Sequence, residues 1–111
     1  MKIKQYDIWL VNLNLANGTD PGKTRPVVVI QTELLNESHE STIVCPITTN
    51  VNKEIELLRV HLRAAQLNII SDILVDQIRA IDNKRFIKKL GQLTATQKNI
   101  LKSNLRIVLD I

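Results

Sequence analysis

Arg25 is the residue whose setting most invites chemistry. It follows a loop of glycine and polar residues, Asn17-Gly18-Thr19-Asp20-Pro21-Gly22-Lys23-Thr24, and precedes Pro26 and the apolar run Val27-Val28-Val29-Ile30. Proline fixes its own φ and drives the residue before it into extended conformations, so this guanidinium leaves the loop from a stiff strand edge. A fixed cation beside an adaptable loop suits an anionic ligand. The planar fork can hold two phosphate oxygens at once and stays charged at any physiological pH. The same permanence makes the group a poor proton donor. An Arg that merely caps a sheet end or pairs with a surface carboxylate would look the same at this stage, and the segment by itself leaves both readings open.

The loop imitates a P-loop in Gly18-Thr19-Asp20-Pro21-Gly22-Lys23-Thr24. It is one residue short between its glycines, and Arg25-Pro26 with β-branched residues behind it launches a strand rather than the helix whose amino terminus completes a phosphate cradle. Nucleotide hydrolysis is therefore not expected. His39 and His61 lack metal-ligand spacing, and the single cysteine, Cys45, has no partner thiol; neither a metal site nor any other cofactor is expected. Cys45 sits in Ile43-Val44-Cys45 and reads as an inert buried thiol, which fits a reducing, cytoplasmic setting. His39 in a polar loop and His61 on a basic strand face are expected in surface roles, since nothing in the sequence unites them as an acid and base.

The elements that must hold these groups come from a chain of 111 residues, 44% hydrophobic, with a formal charge of +4 from 15 Lys and Arg against 11 Asp and Glu. That is enough to build one core without staples, so a single domain over residues 1–111 is expected. The charge permits a polyanionic partner if the cations gather on one face. No run is apolar enough for a signal peptide or a membrane span, and no membrane association is expected.

Strands are predicted over Asp7–Leu15, Arg25–Gln31, Ser41–Ile47, Leu57–Arg63, Ile73–Ile81 and Phe86–Leu93, with a helical turn at Glu33–Asn36. The first two should pair across a connection longer than a hairpin needs, and such length in a small domain is usually functional. In the fourth, Leu58, Val60 and Leu62 alternate with Arg59, His61 and Arg63, giving one apolar and one basic face. Thr94 and Gln97 have capping-box spacing and open a helix to Leu105 or beyond, with Ile100, Leu101, Leu105 and Val108 as its apolar stripe. Short antiparallel strands followed by one terminal helix imply a mainly β fold, a small curved sheet or barrel with the helix packed on it.

Four segments, in order along nearly the whole chain, resemble the MazF/PemK/Kid family of toxin endoribonucleases. Asp7-Ile8-Trp9-Leu10-Val11 is similar to its opening strand, Gly18 through Val29 to its Gly-polar-acidic and Gly-x-Arg-Pro-Val stretch, Val44 to Thr48 to its strand ending in Pro-x-Thr, and Asp76 to Asp82 to its acidic-Gln-x-Arg-x-Ile-Asp segment. The resemblance implies an SH3-like, plasmid-maintenance-toxin barrel, a homodimer, a cognate antitoxin with a disordered acidic tail, and metal-independent cleavage of single-stranded RNA at short motifs. It places catalytic roles on Arg25, Thr48 and Asp76, and substrate contacts on Asn17, Gly18, Thr19, Asp20, Lys23, Thr49 and Gln77. Some relatives have His at the position of Thr19 and Arg at that of Leu74, so a mechanism needing either group does not carry over. The competing expectation is a gyrase-poisoning toxin of the CcdB type with the same fold. That family ends in Trp-Gly-Ile, whereas this chain ends in Val108-Leu109-Asp110-Ile111.

RNA can cleave itself when a ribose 2′-hydroxyl attacks the adjacent phosphorus, so a protein need only align groups, absorb negative charge and manage two protons. Arg25 matches the charge. Thr48 at a strand end can donate to a nonbridging oxygen, or simply satisfy a turn. Asp76 can orient Arg25, or accept the 2′-hydroxyl proton if its pKa is raised. The residues from Asn17 to Lys23 would close over the substrate and read its bases.

Overall fold

The computed structural model describes residues 2–13 and 23–111, apart from the side chains of Ala64 and Ala65. Seven strands, β1 (Asp7–Asn12), β2 (Thr24–Val29), β3 (Ser41–Thr48), β4 (Arg59–Leu62), β5 (Ser71–Leu74), β6 (Arg79–Asp82) and β7 (Phe86–Gln92), form one sheet with two helices, α1 (Ala64–Leu67) and α2 (Ala95–Leu109). The sheet runs β4-β5-β3-β2-β1-β7, with β6 also on β3, and every pairing is antiparallel. Strands β4 and β7 end the ladder, so its hydrogen bonding does not close. Register shifts in β1–β7 at Ile8/Trp9 and Leu10/Val11 are bulges of the kind that bend a strand and add twist. This is the expected mainly β architecture with its terminal helix.

The β2 valines bury on both faces, as their continuous run implied. Val28 joins Ile8, Cys45, Ile47, Val60, Leu62, Ile73 and Leu101 in one cluster. Val27 and Val29 point the other way, to Trp9, Val11, Val44, Ile81 and Phe86, where Trp9 and Phe86 meet edge to face at 5.8 Å. Helix α2 covers only the first cluster, through Leu101 with Leu105 and Val108 at its margin. Ile100, assigned to the same stripe, is instead exposed. The capping box forms as its spacing required: Gln97 N–H donates to Thr94 Oγ1 and Thr94 N–H to Gln97 Oε1. Asn104, buried in the middle of α2, donates to the carbonyls of Glu56 and Arg59 and so ties the helix to the start of β4.

Two of the expected strands need the larger corrections. Ile73–Ile81 is not one strand. β3 pairs first with β6 and then with β5 along the same edge, and from Ile73 to Arg79 the chain advances six residues while β3 advances three, from Ile47 back to Val44. The surplus leaves the ladder as an excursion through Val75–Ile78, closed by Gln77 N–H donating to Leu74 O at 3.2 Å. Asp76 and Gln77 therefore sit on a turn rather than on a strand. Second, the predicted Leu57–Arg63 strand is only Arg59–Leu62; Val60 and Leu62 are buried as the alternation required, but Leu58 is partly exposed. The Glu33–Asn36 turn is present, with Leu35 N–H donating to Thr32 O and His39 N–H to Leu35 O.

Candidate nucleic-acid interface on the open sheet face

β2 pairs with β3 as Val27↔Pro46, Val28↔Cys45 and Val29↔Val44. Continuing that register by two residues sets Arg25 opposite Thr48, and both line one open cavity of about 720 Å³. Pro26 and Pro46 lie in the same wall; neither has an N–H to donate, and the β2–β3 pairing stops at Val27↔Pro46, beyond which Arg25 and Thr24 are exposed. The cavity therefore lies at the site end of the valine face, away from α2. Two of the three expected catalytic residues share it.

Arg25 is exposed, and its Nη1 donates to Thr24 O at 3.0 Å. That bond fixes one arm of the fork, and among the described residues its other donors have no partner and can serve an anion. Thr48 Oγ1 accepts from Asn50 N–H at 3.1 Å, so the hydroxyl does satisfy a turn. Accepting a bond leaves its own hydrogen available to donate, and the two readings of Thr48 are compatible. Thr49 and Gln77 also line the cavity, Gln77 because the excursion thrusts it out of the ladder. Thr24 and Arg79 line it too. They were not among the expected site residues, although Arg79, two residues beyond Gln77 and in register with Val44, supplies a second guanidinium. The signal for it was its charge inside the same Asp76–Asp82 segment.

The remaining expected residues fall elsewhere. Asp76 is exposed on the excursion but is not part of the cavity wall. Lys23 is exposed; its carbonyl accepts from Leu13 N–H at 3.0 Å, which joins the two chain ends flanking the loop. Asn17, Gly18, Thr19 and Asp20 lie outside the described residues. Cys45 is fully buried, and burial, with the Asp76 charge second, pushes its thiol up to about 12, so it is inert as expected.

The larger surprise is His61. It is not an independent surface residue: His61 Nδ1 lies 2.7 Å from Oδ1 of Asp72, whose side chain is almost fully buried. Asp72 Oδ2 accepts from Arg59 Nη1 at 3.0 Å and from Asn52 N–H at 2.9 Å, and the same Arg59 nitrogen reaches Asn50 O at 3.0 Å. Burial works to raise the Asp72 pKa. The bonds from Asn52 and His61, the His61 charge and the Arg59 bond outweigh it and hold the carboxyl below its ordinary value. This cluster clamps the Asn50–Asn52 segment that follows Thr48 and Thr49. No sequence signal linked Asp72 to it, because its partners come from β4 and from the turn after β3.

Comparison with known proteins shows the family of the chain. Residues 4–109 match the family model described as PemK-like, MazF-like toxin of type II toxin-antitoxin system. The chain belongs to this toxin family. A relative from Staphylococcus epidermidis, Endoribonuclease MazF, is 33% identical over 97 residues, which is 86% of this chain and 81% of that protein. Among solved structures, Mycobacterium tuberculosis toxin MazF-mt6 superposes with a TM-score of 0.79 at 24% identity, covering 95% of this chain and 97% of the other. A MazE-MazF structure from Deinococcus radiodurans gives 0.83 at 20% identity, covering 100% and 98%. At those identities the structures speak for the toxin fold alone.

Proposed function

We propose that this PemK/MazF-family toxin is an endoribonuclease that cuts single-stranded RNA, mRNA included, at short sequence motifs by attack of a ribose 2′-hydroxyl on the neighbouring phosphorus. The 2′-O–P bond forms as the P–O5′ bond breaks and the leaving 5′-oxygen takes a proton from water, or from Arg25 as the family resemblance implies, so the products are a 2′,3′-cyclic phosphate and a free 5′-hydroxyl, with no metal required. The observation that carries it is the meeting of Arg25 and Thr48 in one open cavity. Arg25 stabilises charge on the pentacoordinate phosphate, where preorganised donors act most strongly. Thr48 donates to a nonbridging oxygen while its lone pair stays with Asn50. Asp76, next in sequence to Gln77, accepts the 2′-hydroxyl proton or orients Arg25. Thr49 and Gln77 hold the nucleotides beside the scissile bond, and Asn17, Gly18, Thr19, Asp20 and Lys23 read bases from the loop.

The biological reading follows from the family. The chain acts in the cytoplasm as a single toxin domain and a homodimer, arrests translation and growth, and is neutralised by an antitoxin whose acidic segment orders in the RNA groove. One mycobacterial structural relative is an endoribonuclease in complex with its cognate antitoxin, which supports that partner class. The deciding experiment incubates the purified protein with a long single-stranded RNA in excess chelator and maps the ends. Discrete cuts with cyclic-phosphate ends are expected. Intact RNA accompanied by disturbed DNA supercoiling would instead favour the gyrase-poisoning class.

A further inference from the structure

The open face does not stop at Thr48. Thr48 pairs with Asp72 across β3–β5, and Asp72 with His61 across β5–β4. Directly opposed residues of antiparallel strands project to the same side, so Thr48, Asp72 and His61 form one row. His61 stands about 10 Å from Thr48, two strand spacings away. There the face opens into a second cavity, of about 550 Å³, lined by Val51, Lys53, His61, Arg63 and Ile70 with Asp72 at its back. The two cavities share a lip. Thr49 faces the first and Val51 the second, and Val51 N–H donates to Thr49 O at 3.0 Å.

We propose that the Lys53–His61–Arg63 cavity is a second phosphate subsite, taking a nucleotide of the same RNA strand that Arg25 and Thr48 hold at the scissile bond. This rests on the RNA-cutting reading and extends it by naming where the flanking strand runs. Three features argue for a phosphate. Lys53 and Arg63 are exposed and pair with no carboxylate among the described residues. Asp72, the acid in the cavity wall, is fully buried and already shared by Arg59, His61 and Asn52, so its charge is compensated where an anion would sit. His61, with Nδ1 held on Asp72, has Nε2 left for a ligand. Val51 and Ile70 add an apolar patch for a ribose or base face, since a nucleotide needs both surfaces.

The test measures binding of 2′-O-methyl oligouridylates, which lack the attacking hydroxyl, at two lengths: a dinucleotide that fills one subsite and a hexanucleotide that spans both. The wild-type protein should favour the hexanucleotide. In the Lys53→Ala, Arg63→Ala double variant the hexanucleotide-to-dinucleotide affinity ratio should fall about tenfold. The slope of log affinity against log salt should flatten by about 0.7 for the hexanucleotide, the amount expected from one lost phosphate contact on a single strand. Both positions are exposed, and an unchanged melting temperature checks that the fold survives. An unaltered ratio and slope overturn the proposal, as does a wild-type protein with no length preference. Long-RNA cleavage assayed in parallel separates the two claims: cuts with an unaltered ratio sink the subsite alone, whereas no cuts sink both.

Discussion

Two arginines on the open face have opposite fates. Arg25, near the start of β2, is exposed and spends one donor on its neighbour's carbonyl, its one bond among the described residues. Arg59, on β4, is mostly buried and committed to Asp72 and Asn50. Both are permanent cations that follow a polar or irregular stretch at the start of a strand, and charge counting treats them alike. The contrast teaches that a cation is available to a ligand where the described fold gives it no counter-ion, as proposed for Arg25, and becomes a brace where the fold supplies one. Arg25 lies where two prolines end the ladder; Arg59 lies beside a carboxylate that the next strand carries inward.

The sharpest way to break the comparison is to remove the counter-ion. Asp72→Ala should destabilise the protein by about 3 kcal/mol, the lower end for breaking a buried pair because Arg59 and His61 still reach water. Chemical denaturation checks this. The same carboxyl predicts acid sensitivity. Its folded-state pKa lies below the ordinary 3.8, so its contribution is complete above that value and is lost as pH falls through the lower, folded-state value. As pH falls below 3.8 the wild type should lose stability more steeply than Asp72→Asn, which has no such proton to bind. Equal slopes would mean that Asp72 is no better stabilised folded than unfolded.

Arg25→Ala should do the reverse. RNA cleavage should fall by about a hundredfold, ~2.7 kcal/mol on the barrier, the usual loss on deleting a preorganised donor. The melting temperature should barely move, since Arg25 is exposed and its one bond among the described residues is to an adjacent residue. A large stability loss with intact cleavage would reassign Arg25 to the brace class.

The sequence exposed one side of this contrast and hid the other. Arg25 was legible because its determinants are local: a glycine-rich loop before it, Pro26 and the valines after it. The capping box and the two-faced burial of β2 were legible for the same reason. Asp72 was not, because Arg59, His61 and Asn52 reach it across strands, and period-two alternation says which face a residue takes but not what stands opposite. Ile73–Ile81 looked like one strand because its composition is β-like throughout. Only the two registers that β6 and β5 make with β3 show the surplus residues that push Gln77 into the cavity.

Thr48 belongs to both classes at once and gives the smallest effect and the finest discrimination. Its oxygen accepts from Asn50 N–H, within the segment that Arg59 and Asp72 clamp, while its hydrogen is free for a phosphate oxygen. Thr48→Val keeps the shape and loses both bonds. Stability should fall by about 0.5–1 kcal/mol, the net worth of one partly exposed hydrogen bond, and cleavage by roughly tenfold, near the lower end for a hydrogen bond to a charged group. Thr48→Ser keeps the hydroxyl and should restore most of the rate. If instead the valine variant lost stability alone, the hydroxyl would be a brace like Arg59, and charge stabilisation would fall to Arg25 with Arg79, the second guanidinium in the same wall.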